Sequence, residues 1–439
     1  NMSNLLDKAS IILTPTAYDD GKVLAAKPSE APYGDFDFTR NSSATRVNAQ
    51  GLVEDVQILS SNLVQNGDFS QIGSEEVTNG NFSQIGSEEV TNGNFSQEGA
   101  ELVTNGDFST DSDWSKSGWV IENGKALSSS SGAGNNLYQG NVTLVGKTFK
   151  VVIDTTISAG SVVVMLGGGS GGYNVIGEAT TSGTFTYYGV SNGTDNRLLL
   201  QTGSGSTIGS VSIDNVSVKE VGQDWTLGTG WSIGDDKAIS DGTINTSISQ
   251  SNVFTIGKSY KVTISVNDVV GSLDARFWMG TGGDKININS QGDYTAYWKA
   301  DGNDILVSTL SSNTATYSIT NISVKEVGQD WVLTQATVGD GEATIISPDG
   351  SYAAVYQDNV ATIGKTYKCS IDVLSISGTM QLRLGSGTDV DITTIGTKTF
   401  YINAASSTIE LKRKSGAGAL DVSITNISVK EVGQNWLNS

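Results

Sequence analysis

Apolar and polar residues alternate in short runs along most of this chain, and Gly, Asn, Asp and Ser interrupt the runs every few positions. Successive side chains of a strand point to opposite faces of a sheet, so this pattern predicts half-buried β-strands joined by turns. No long window has the 3.6-residue apolar spacing of an amphipathic helix. The sequence therefore predicts an all-β protein.

One nine-residue phrase, Ser-Val-Lys-Glu-Val-Gly-Gln-Asp/Asn-Trp, occurs three times, at 217–225, 323–331 and 428–436. It returns after about 105 residues, which is the size of a small domain. A phrase that recurs at this spacing predicts tandem modules, each closed by the same strand.

In the residues before and at the start of each phrase, the alternating apolar positions shift by one residue. In the first copy the pattern runs Val211, Ile213 and then Val216, Val218, and the other two copies repeat the change. One extra residue exchanges the buried and exposed faces of a strand unless a β-bulge absorbs it. We therefore predict a bulge in every closing strand, which favours a β-sandwich.

A near-perfect 13-residue repeat precedes the modules, with Asn-Gly at Asn66, Asn79, Asn92 and Asn105. Asn-Gly between apolar residues predicts a β-hairpin with a type I′ turn, which would place Val77 opposite Phe82. One repeat has too few large apolar residues to bury them alone. Two interpretations remain open: a narrow β-structured stalk with its core between three chains, or a duplicated first strand of the next module that forms a flexible linker.

These patterns divide the chain into five parts. Asn105 to Ser109 also looks like the first strand of the first module, and each module has an early Trp, at Trp114, Trp225 and Trp331. The predicted parts are an N-terminal piece at 1–62, the repeats at 63–104, and three jelly-roll β-sandwich modules at 105–223, 224–329 and 330–439.

Charge and composition narrow the function. The formal net charge is −20, and a polyanionic nucleic acid is a poor partner for such a chain. There is no histidine, which excludes Ser-His-Asp and Cys-His catalysis, and we expect no enzymatic activity. The single cysteine, Cys369, takes a strand position that Val151 and Val262 take in the other modules, so we interpret it as core packing. No apolar run reaches the length of a membrane span, and no signal peptide is recognisable.

The N-terminal phrase from Gly34 to Glu54 resembles the N-terminal part of structural and fibre proteins of tailed bacteriophages. The resemblance implies a protein of the virion surface that contacts other virion proteins through this piece. A cap on the first repeat is the alternative.

The order NGDFS, W…GW, GKTFKV, GTFTYY and DNVSVKE from Asn105 onward resembles the family 4/9-like carbohydrate-binding modules. The resemblance implies jelly-roll sandwiches that bind glycans without cofactors. Members of that family often hold a structural Ca²⁺ where the first and last strands meet, which in the first module implies Asp107 and Asp214 as ligands.

Sugar binding requires aromatic faces that stack on pyranose rings. Strand alternation places about half of the aromatic residues in the core, so the candidates include residues of both kinds. The predicted ligand-binding residues are Trp231, Trp278, Tyr297, Trp298, Trp119, Tyr188 and Tyr401.

The leading hypothesis is a non-enzymatic, homotrimeric phage fibre or adhesin that binds glycans through several modules. A structural decoration or spacer without ligands is the second hypothesis. The third is the accessory region of a secreted enzyme.

Overall fold

The computed structural model describes residues 12–19, 22–26, 35–37, 45–47, 49–55, 70–279 and 285–434. The chain divides into two compact units, Asn1–Ser70 and Gln71–Ser439. Every regular element in the described ranges is a β-strand. Within those ranges there is accordingly no helix that is long and apolar enough to cross a membrane. The predicted all-β class is confirmed.

The first unit contains two small antiparallel sheets. One has the order β1-β2-β3 and the other pairs β4 with β5, with Val47 opposite Val53. Apolar residues on either side of the Asn48–Gly51 segment predict a strand, a turn and a strand, and the pairing of β4 with β5 confirms this prediction. The turn that the sequence predicts at Pro32–Gly34 lies outside the described residues. The strands are β1 (Ile12–Asp19), β2 (Lys22–Ala26), β3 (Asp35–Asp37), β4 (Thr45–Val47) and β5 (Val53–Asp55).

The second unit begins with three short strands and continues with three sandwiches. The short strands are β6 (Ile72–Glu75), β7 (Ile85–Glu88) and β8 (Glu98–Glu101). Sandwich 1 consists of β9 (Ser115–Ser117), β10 (Trp119–Glu122), β11 (Lys125–Ser128), β12 (Asn136–Gln139), β13 (Thr148–Ile157), β14 (Val162–Gly167), β15 (Tyr173–Ala179), β16 (Gly183–Val190), β17 (Arg197–Thr202) and β18 (Val211–Val221).

The other two sandwiches repeat this series of strands. Sandwich 2 consists of β19 (Thr226–Leu227), β20 (Trp231–Gly234), β21 (Lys237–Ser240), β22 (Thr246–Gln250), β23 (Ser259–Val270), β24 (Ala275–Met279), β25 (Lys285–Ile288), β26 (Gly292–Lys299), β27 (Ile305–Thr309) and β28 (Thr316–Val327). Sandwich 3 consists of β29 (Val332–Thr334), β30 (Ala336–Gly339), β31 (Glu342–Ser347), β32 (Ala354–Gln357), β33 (Thr366–Ser377), β34 (Met380–Arg383), β35 (Val390–Ile392), β36 (Gly396–Asn403), β37 (Ile409–Arg413) and β38 (Leu420–Val432).

Each sandwich pairs a five-stranded sheet with a six-stranded sheet. In sandwich 1 the orders are β15-β14-β17-β12-β9 and β10-β11-β18-β13-β16, and the sixth strand of the larger sheet is β8, which pairs with β18. Sandwiches 2 and 3 have the same two orders with their own strands. The strands of each sandwich pair in the antiparallel direction. The chain therefore contains three tandem jelly-roll-like β-sandwiches.

Strict alternation along the central strands produces the cores. In β13 the side chains of Val151 and Ile153 are fully buried between the sheets, while their neighbours are partly exposed. Cys369 takes the equivalent place in β33, where burial raises the pKa of its thiol to about 12. The interpretation of Cys369 as core packing is confirmed.

The predicted bulge is present in all three closing strands. In β18, Ile153 of the neighbouring strand pairs with Val216, whereas Thr155 pairs with Ile213, so one residue of β18 is extra. The equivalent shifts occur in β28 and β38. The extra residue lets Ile213 and Val216 both point into the core despite their odd spacing.

The 13-residue repeats are parts of the sandwiches, and this corrects the predicted separate stalk. We call residues 72–82, 85–95 and 98–108 opening segments 1, 2 and 3. Strand β6 of segment 1 pairs with β38, β7 of segment 2 with β28, and β8 of segment 3 with β18. The segments therefore complete the sandwiches in reverse order, since the first segment along the chain belongs to the last sandwich.

The predicted Asn-Gly hairpins are also wrong. In segment 1 the N–H of Phe82 donates to the carbonyl oxygen of Asn79 at 3.0 Å, which closes a tight turn. Positive φ occurs at Asn79 (49°) and Phe82 (52°), at the two ends of this turn rather than at its centre, so it is not type I′. Segments 2 and 3 have the same geometry.

The opening segments do not support the prediction of a trimer. Val77 and Phe82 are buried in the core of sandwich 3, and Val90 and Phe95 in the core of sandwich 2. Their apolar side chains thus find partners within the same chain and require no second chain. The homotrimer itself remains a prediction.

Candidate functional site

Three of the predicted ligand-binding aromatics are core residues, so they present no face to a ligand. Trp119, Trp231 and Trp298 are only 4%, 4% and 3% exposed. The indole N–H of Trp119 donates to the carbonyl oxygen of Asn135 at 3.1 Å. Their prediction as sugar platforms is corrected here, because in each case strand alternation turns the side chain inward.

Two other predicted aromatics lie at the junctions between sandwiches. The ring of Tyr188 covers Gly234 of sandwich 2, and the ring of Tyr297 covers Gly339 of sandwich 3. The Tyr297 hydroxyl donates to Asp340 at 2.8 Å, and burial together with this carboxylate raises the pKa of Tyr297. These tyrosines therefore bind the neighbouring sandwich.

Tyr401 is at the equivalent place in sandwich 3 and is 66% exposed. Its partner across the strand pair is Lys368, as Lys150 is for Tyr188 and Lys261 for Tyr297. It lies in the six-stranded sheet, away from the open face of the five-stranded sheet, and its predicted role in ligand binding remains a prediction.

The remaining candidate, Trp278, lies on the open face of the five-stranded sheet of sandwich 2. Its neighbours Phe277 and Met279 point into the core, so alternation turns the indole outward. The indole N–H donates to the hydroxyl of Ser308 at 2.9 Å, which holds the ring against the sheet. Trp278 is the predicted binding residue whose position best suits a ligand.

Trp278 is one member of a row of outward side chains that crosses all five strands. Residues directly opposite one another in antiparallel strands lie about 5 Å apart, so such a row forms a continuous strip. We call this strip the face row. In sandwich 2 it consists of Thr226, Ser249, Leu306, Trp278 and Lys285.

The face row of sandwich 3 has aromatic and charged members. It consists of Val332, Tyr356, Glu410 and Arg383, and the carboxylate of Asp389, which directly precedes β35, lies 3.9 Å from the Arg383 guanidinium. Although it is on the open face, Glu410 is only 7% exposed, because it contacts Arg383 and accepts a hydrogen bond from the hydroxyl of Tyr352 at 2.5 Å. Burial and this carboxylate raise the pKa of Tyr352, which keeps its hydroxyl a donor.

The face row of sandwich 1 is mainly apolar. It consists of Ser115, Tyr138, Leu199, Met165 and Val175. Next to it, the guanidinium of Arg197 lies 4.8 Å from the centre of the Tyr138 ring. Leu199 is only 4% exposed yet is outside the core cluster, so outward neighbours cover it.

Beside the face row, sandwich 2 has a polar group that lacks a partner. The Nε atom of Arg276 is buried and makes no hydrogen bond within the described residues. Arg276 is paired with Ser308 on one side and with Asn287 on the other. A buried donor without an acceptor has a free-energy cost that a bound hydroxyl would remove.

The donor set at the predicted calcium site fits calcium poorly. Asp107 is exposed and accepts a hydrogen bond from the N–H of Ser109 at 3.2 Å. Asp214 lies 3.8 Å from the ammonium of Lys125, which occupies the space of a cation. Among the described residues there is no group of three or more His, Cys, Asp or Glu side chains suited to a metal.

No protein-family model and no curated protein matches this sequence. Solved structures with similarity include the N-terminal CBM22-1–CBM22-2 tandem domain of Paenibacillus barcinonensis Xyn10C, with 10% identity over 53% of this chain and 99% of that chain at a TM-score of 0.24. They also include the atomic structure of Sulfolobus Turreted Icosahedral Virus, with 12% identity over 73% and 90% at 0.23. A third is the triple jelly roll of an archaeal virus turret, with 13% identity over 73% and 89% at 0.22. These similarities carry no argument about what this chain binds.

Proposed function

We propose that this chain is a non-enzymatic virion fibre or adhesin whose three face rows bind glycans. The observation that carries the proposal is a contrast between two sets of positions. Residues that hold the opening segments are identical in the three sandwiches, as for Gln139, Gln250 and Gln357. The face rows occupy equivalent strand positions but have different side chains in each sandwich.

This contrast supports a binding role for the face rows. Each sandwich stays folded only with the residues that hold its opening segment. The face rows are outside the core clusters, so their side chains are free to differ. A row with an aromatic ring and nearby hydrogen-bonding groups suits a sugar, because the ring stacks on the apolar side of a pyranose and the polar groups pair with hydroxyls. Tyr138, Trp278 and Tyr356 supply the rings, and Arg197, Arg276 and Arg383 supply donors beside them.

The three faces would act together. Single shallow sites of this kind bind weakly, but several sites on one chain raise the overall affinity without new contacts. The resemblance of the N-terminal piece to phage structural proteins supports a place on the virion surface, with Gly34–Glu54 as the piece that contacts other virion proteins.

A triple variant tests the glycan proposal. We expect the full chain with Tyr138→Ala, Trp278→Ala and Tyr356→Ala to lose at least about tenfold in apparent affinity on a glycan array, because each site would lose its stacking ring. The control is Tyr401→Ala, which removes an exposed tyrosine away from the face rows and should bind like the parent. Equal binding by the triple variant and the parent, or no glycan bound by the parent at millimolar concentration, would contradict the proposal.

A structural spacer is the second candidate, and the junctions favour it. Tyr188 and Tyr297 each pack on a glycine of the next sandwich, so neighbouring sandwiches contact through fitted surfaces. A chain of sandwiches with fitted contacts suits a spacer of fixed length.

The junction is testable with one substitution. A Cβ at Gly339 would lie 2.8 Å from the Tyr297 ring, so Gly339→Val is expected to separate sandwiches 2 and 3 without unfolding either. Spin labels on the two sandwiches should then show a broadened distance distribution. Gly140→Ala is the control, since nothing lies within 4 Å of its added Cβ. An unchanged distribution in Gly339→Val would argue against a rigid spacer.

A further inference from the structure

The three opening segments share one eight-residue motif, Glu-x-Val-Thr-Asn-Gly-x-Phe. It occurs at Glu75–Phe82, Glu88–Phe95 and Glu101–Phe108. The two variable positions are Glu, Glu and Leu after the first residue, and Asn, Asn and Asp before the last. Each of the six invariant residues makes a contact with the sandwich that its segment completes.

The glutamate of the motif binds the closing strand just after its bulge. Glu88 accepts hydrogen bonds from the backbone N–H of Val324 at 2.7 Å and from the hydroxyl of Ser323 at 2.6 Å. Glu75 and Glu101 make the same pair of contacts with sandwiches 3 and 1. A charged acceptor makes these hydrogen bonds strong and directional.

A buried glutamine binds the threonine of the motif on both sides. The Gln250 amide accepts from the N–H of Thr91 and donates to its carbonyl oxygen, both at 2.9 Å. It also donates to the carbonyl oxygen of Asp224 at 3.3 Å. Gln250 is only 6% exposed, so these partners satisfy an otherwise costly buried amide.

The last four residues of the motif complete the core. The indole N–H of Trp225 donates to the carbonyl oxygen of Asn92 at 3.0 Å, and the rings of Phe95 and Trp225 lie 5.2 Å apart. Gly93 brings its backbone against Ile322, whose N–H donates to the Gly93 carbonyl oxygen at 2.9 Å. Val90 and Phe95 are 5% and 1% exposed.

The acceptor sites of the three sandwiches are equivalent as well. Each consists of a closing-strand Ser-Val pair, a buried Gln and a Trp. The sets are Ser217, Val218, Gln139 and Trp114; Ser323, Val324, Gln250 and Trp225; and Ser428, Val429, Gln357 and Trp331.

One contact made by a residue outside the motif could also form in any of the three sandwiches. Glu98 of segment 3 binds Lys150 at 2.6 Å and Lys219 at 2.9 Å, and these lysines hold the pKa of Glu98 below its ordinary value. The equivalent strand positions in sandwich 2 are Lys261 and Lys325, and in sandwich 3 they are Lys368 and Lys430. Segment 3 would thus find the same charges in any of the three sandwiches.

From this equivalence we infer that each sandwich has a peptide-binding site for the motif Glu-x-Val-Thr-Asn-Gly-x-Phe, and that this site accepts the motif from any segment, including one on a second copy of the chain. The recognition combines strand addition with an aromatic residue in a pocket, which is a general mode of peptide binding. Segment exchange between copies would link chains without a new interface.

The covalent connection does not limit this exchange. The hydrogen bonds between Glu75 and the closing strand of sandwich 3 join residues 354 and 353 positions apart. Pairing at such a sequence separation has a large closure entropy, and a segment from another molecule competes with it more readily as the connection lengthens.

The experiment uses the full chain with Val90→Ser and Phe95→Ser, which remove both apolar side chains by which segment 2 fills sandwich 2. A fluorescent peptide with the sequence of residues 84–97 is titrated into this variant and followed by anisotropy. We expect saturable binding of one peptide per chain, at least tenfold weaker binding of the Phe95→Ala peptide, and at least tenfold weaker binding to the parent chain, whose own segments must first be displaced. Peptides with the sequences of residues 71–84 and 97–110 should bind within about threefold of the first.

Each other outcome decides against the inference. A folded sandwich 2 that binds no peptide would refute the peptide site, and binding of the 84–97 peptide alone would refute interchange. If sandwich 2 is unfolded in the variant, the peptide is added during refolding from urea. Recovery of hydrogen-exchange protection in β23 and β28 at saturating peptide would support the site, and absence of recovery would overturn it.

A related sequence provides a specificity probe. Asn66-Gly67-Asp68-Phe69 repeats the end of the motif, with Asn62 at the place of the glutamate, and these residues lie outside the described part of the chain. A peptide with the sequence of residues 58–71 should bind at least tenfold more weakly than the 84–97 peptide, because an amide lacks the charged acceptor. Equal affinity would refute the role assigned to the glutamate.

Discussion

Phe95→Ala is expected to destabilise sandwich 2 by about 3–5 kcal/mol, the usual cost of removing a buried phenylalanine ring. Phe95 is 1% exposed, lies in the core cluster of sandwich 2, and contacts the ring of Trp225. Sandwiches 1 and 3 should remain folded, because Phe108 and Phe82 fill the equivalent places in their cores.

Hydrogen exchange measured by mass spectrometry separates the sandwiches in this experiment. Protection should fall in β23 and β28 and stay unchanged in β13, β18, β33 and β38. The matched control is Ile85→Ala in the same segment, since Ile85 is 50% exposed and its loss should change stability by less than about 0.5 kcal/mol. Loss of protection in sandwich 1 instead of sandwich 2 would contradict the assignment of segment 2 to sandwich 2.

The reverse order has a consequence for folding. Segment 3 and sandwich 1 are neighbours in the chain, whereas Glu75 of segment 1 and Val429 of sandwich 3 are 354 positions apart. Contacts between residues far apart in the chain form late, because the entropy lost on closing the connecting loop must be overcome before these contacts stabilise the structure. We therefore expect sandwich 1 to complete before sandwich 3, even though the segment for sandwich 3 is synthesised first.

Much of the fold follows from local patterns in the sequence. The alternation in β13, β23 and β33 predicts strands because each turns one face into the core. The parity change around Asp214 predicts the bulge because two apolar runs must share one core. Each of these signals is contained in a short stretch of the chain, so a single sequence is enough to recognise it.

The partner of each opening segment could not be read in the same way. The pattern in residues 72–82 shows that Val77 and Phe82 need a core, but the three acceptor sites are so alike that no residue identifies which one receives them. The signal in the sequence is the number of copies of the motif. Sandwiches 2 and 3 lack an Asn-Gly-Asp-Phe strand next to their own first Trp, and two further copies of the motif precede the third.

The aromatic predictions that the structure contradicts failed for a related reason. Alternation implies that Tyr297 and Trp298 point in opposite directions, but not which of them points inward. The structure places Trp298 in the core and Tyr297 against Gly339 of the next sandwich, a contact that depends on the relation between two modules. Trp278 lies on the outward face because both of its neighbours, Phe277 and Met279, are core residues of the same strand, and its role in ligand binding remains a prediction.

Gly93→Ala is expected to displace segment 2 from sandwich 2, with a loss of stability of at least about 1–3 kcal/mol, the range for steric overpacking in a core. The added Cβ would lie 2.1 Å from the carbonyl oxygen of Ile322, a backbone atom that cannot move without disturbing β28. The backbone at Gly93 does not have positive φ, so alanine adds no dihedral strain and the clash acts alone.

The control for this substitution is Gly140→Ala, which makes the same chemical change where no atom lies within 4 Å of the new Cβ and φ is not positive. Urea unfolding monitored by tryptophan fluorescence should show an early transition for Gly93→Ala, because Trp225 loses the contact with Phe95, and a parent-like curve for Gly140→Ala. The Gly93→Ala chain should also gain affinity for the peptide of residues 84–97, whose own glycine fits the vacated site. Coincident unfolding curves for the two variants would show that the close approach of Gly93 to Ile322 does not hold the segment in place.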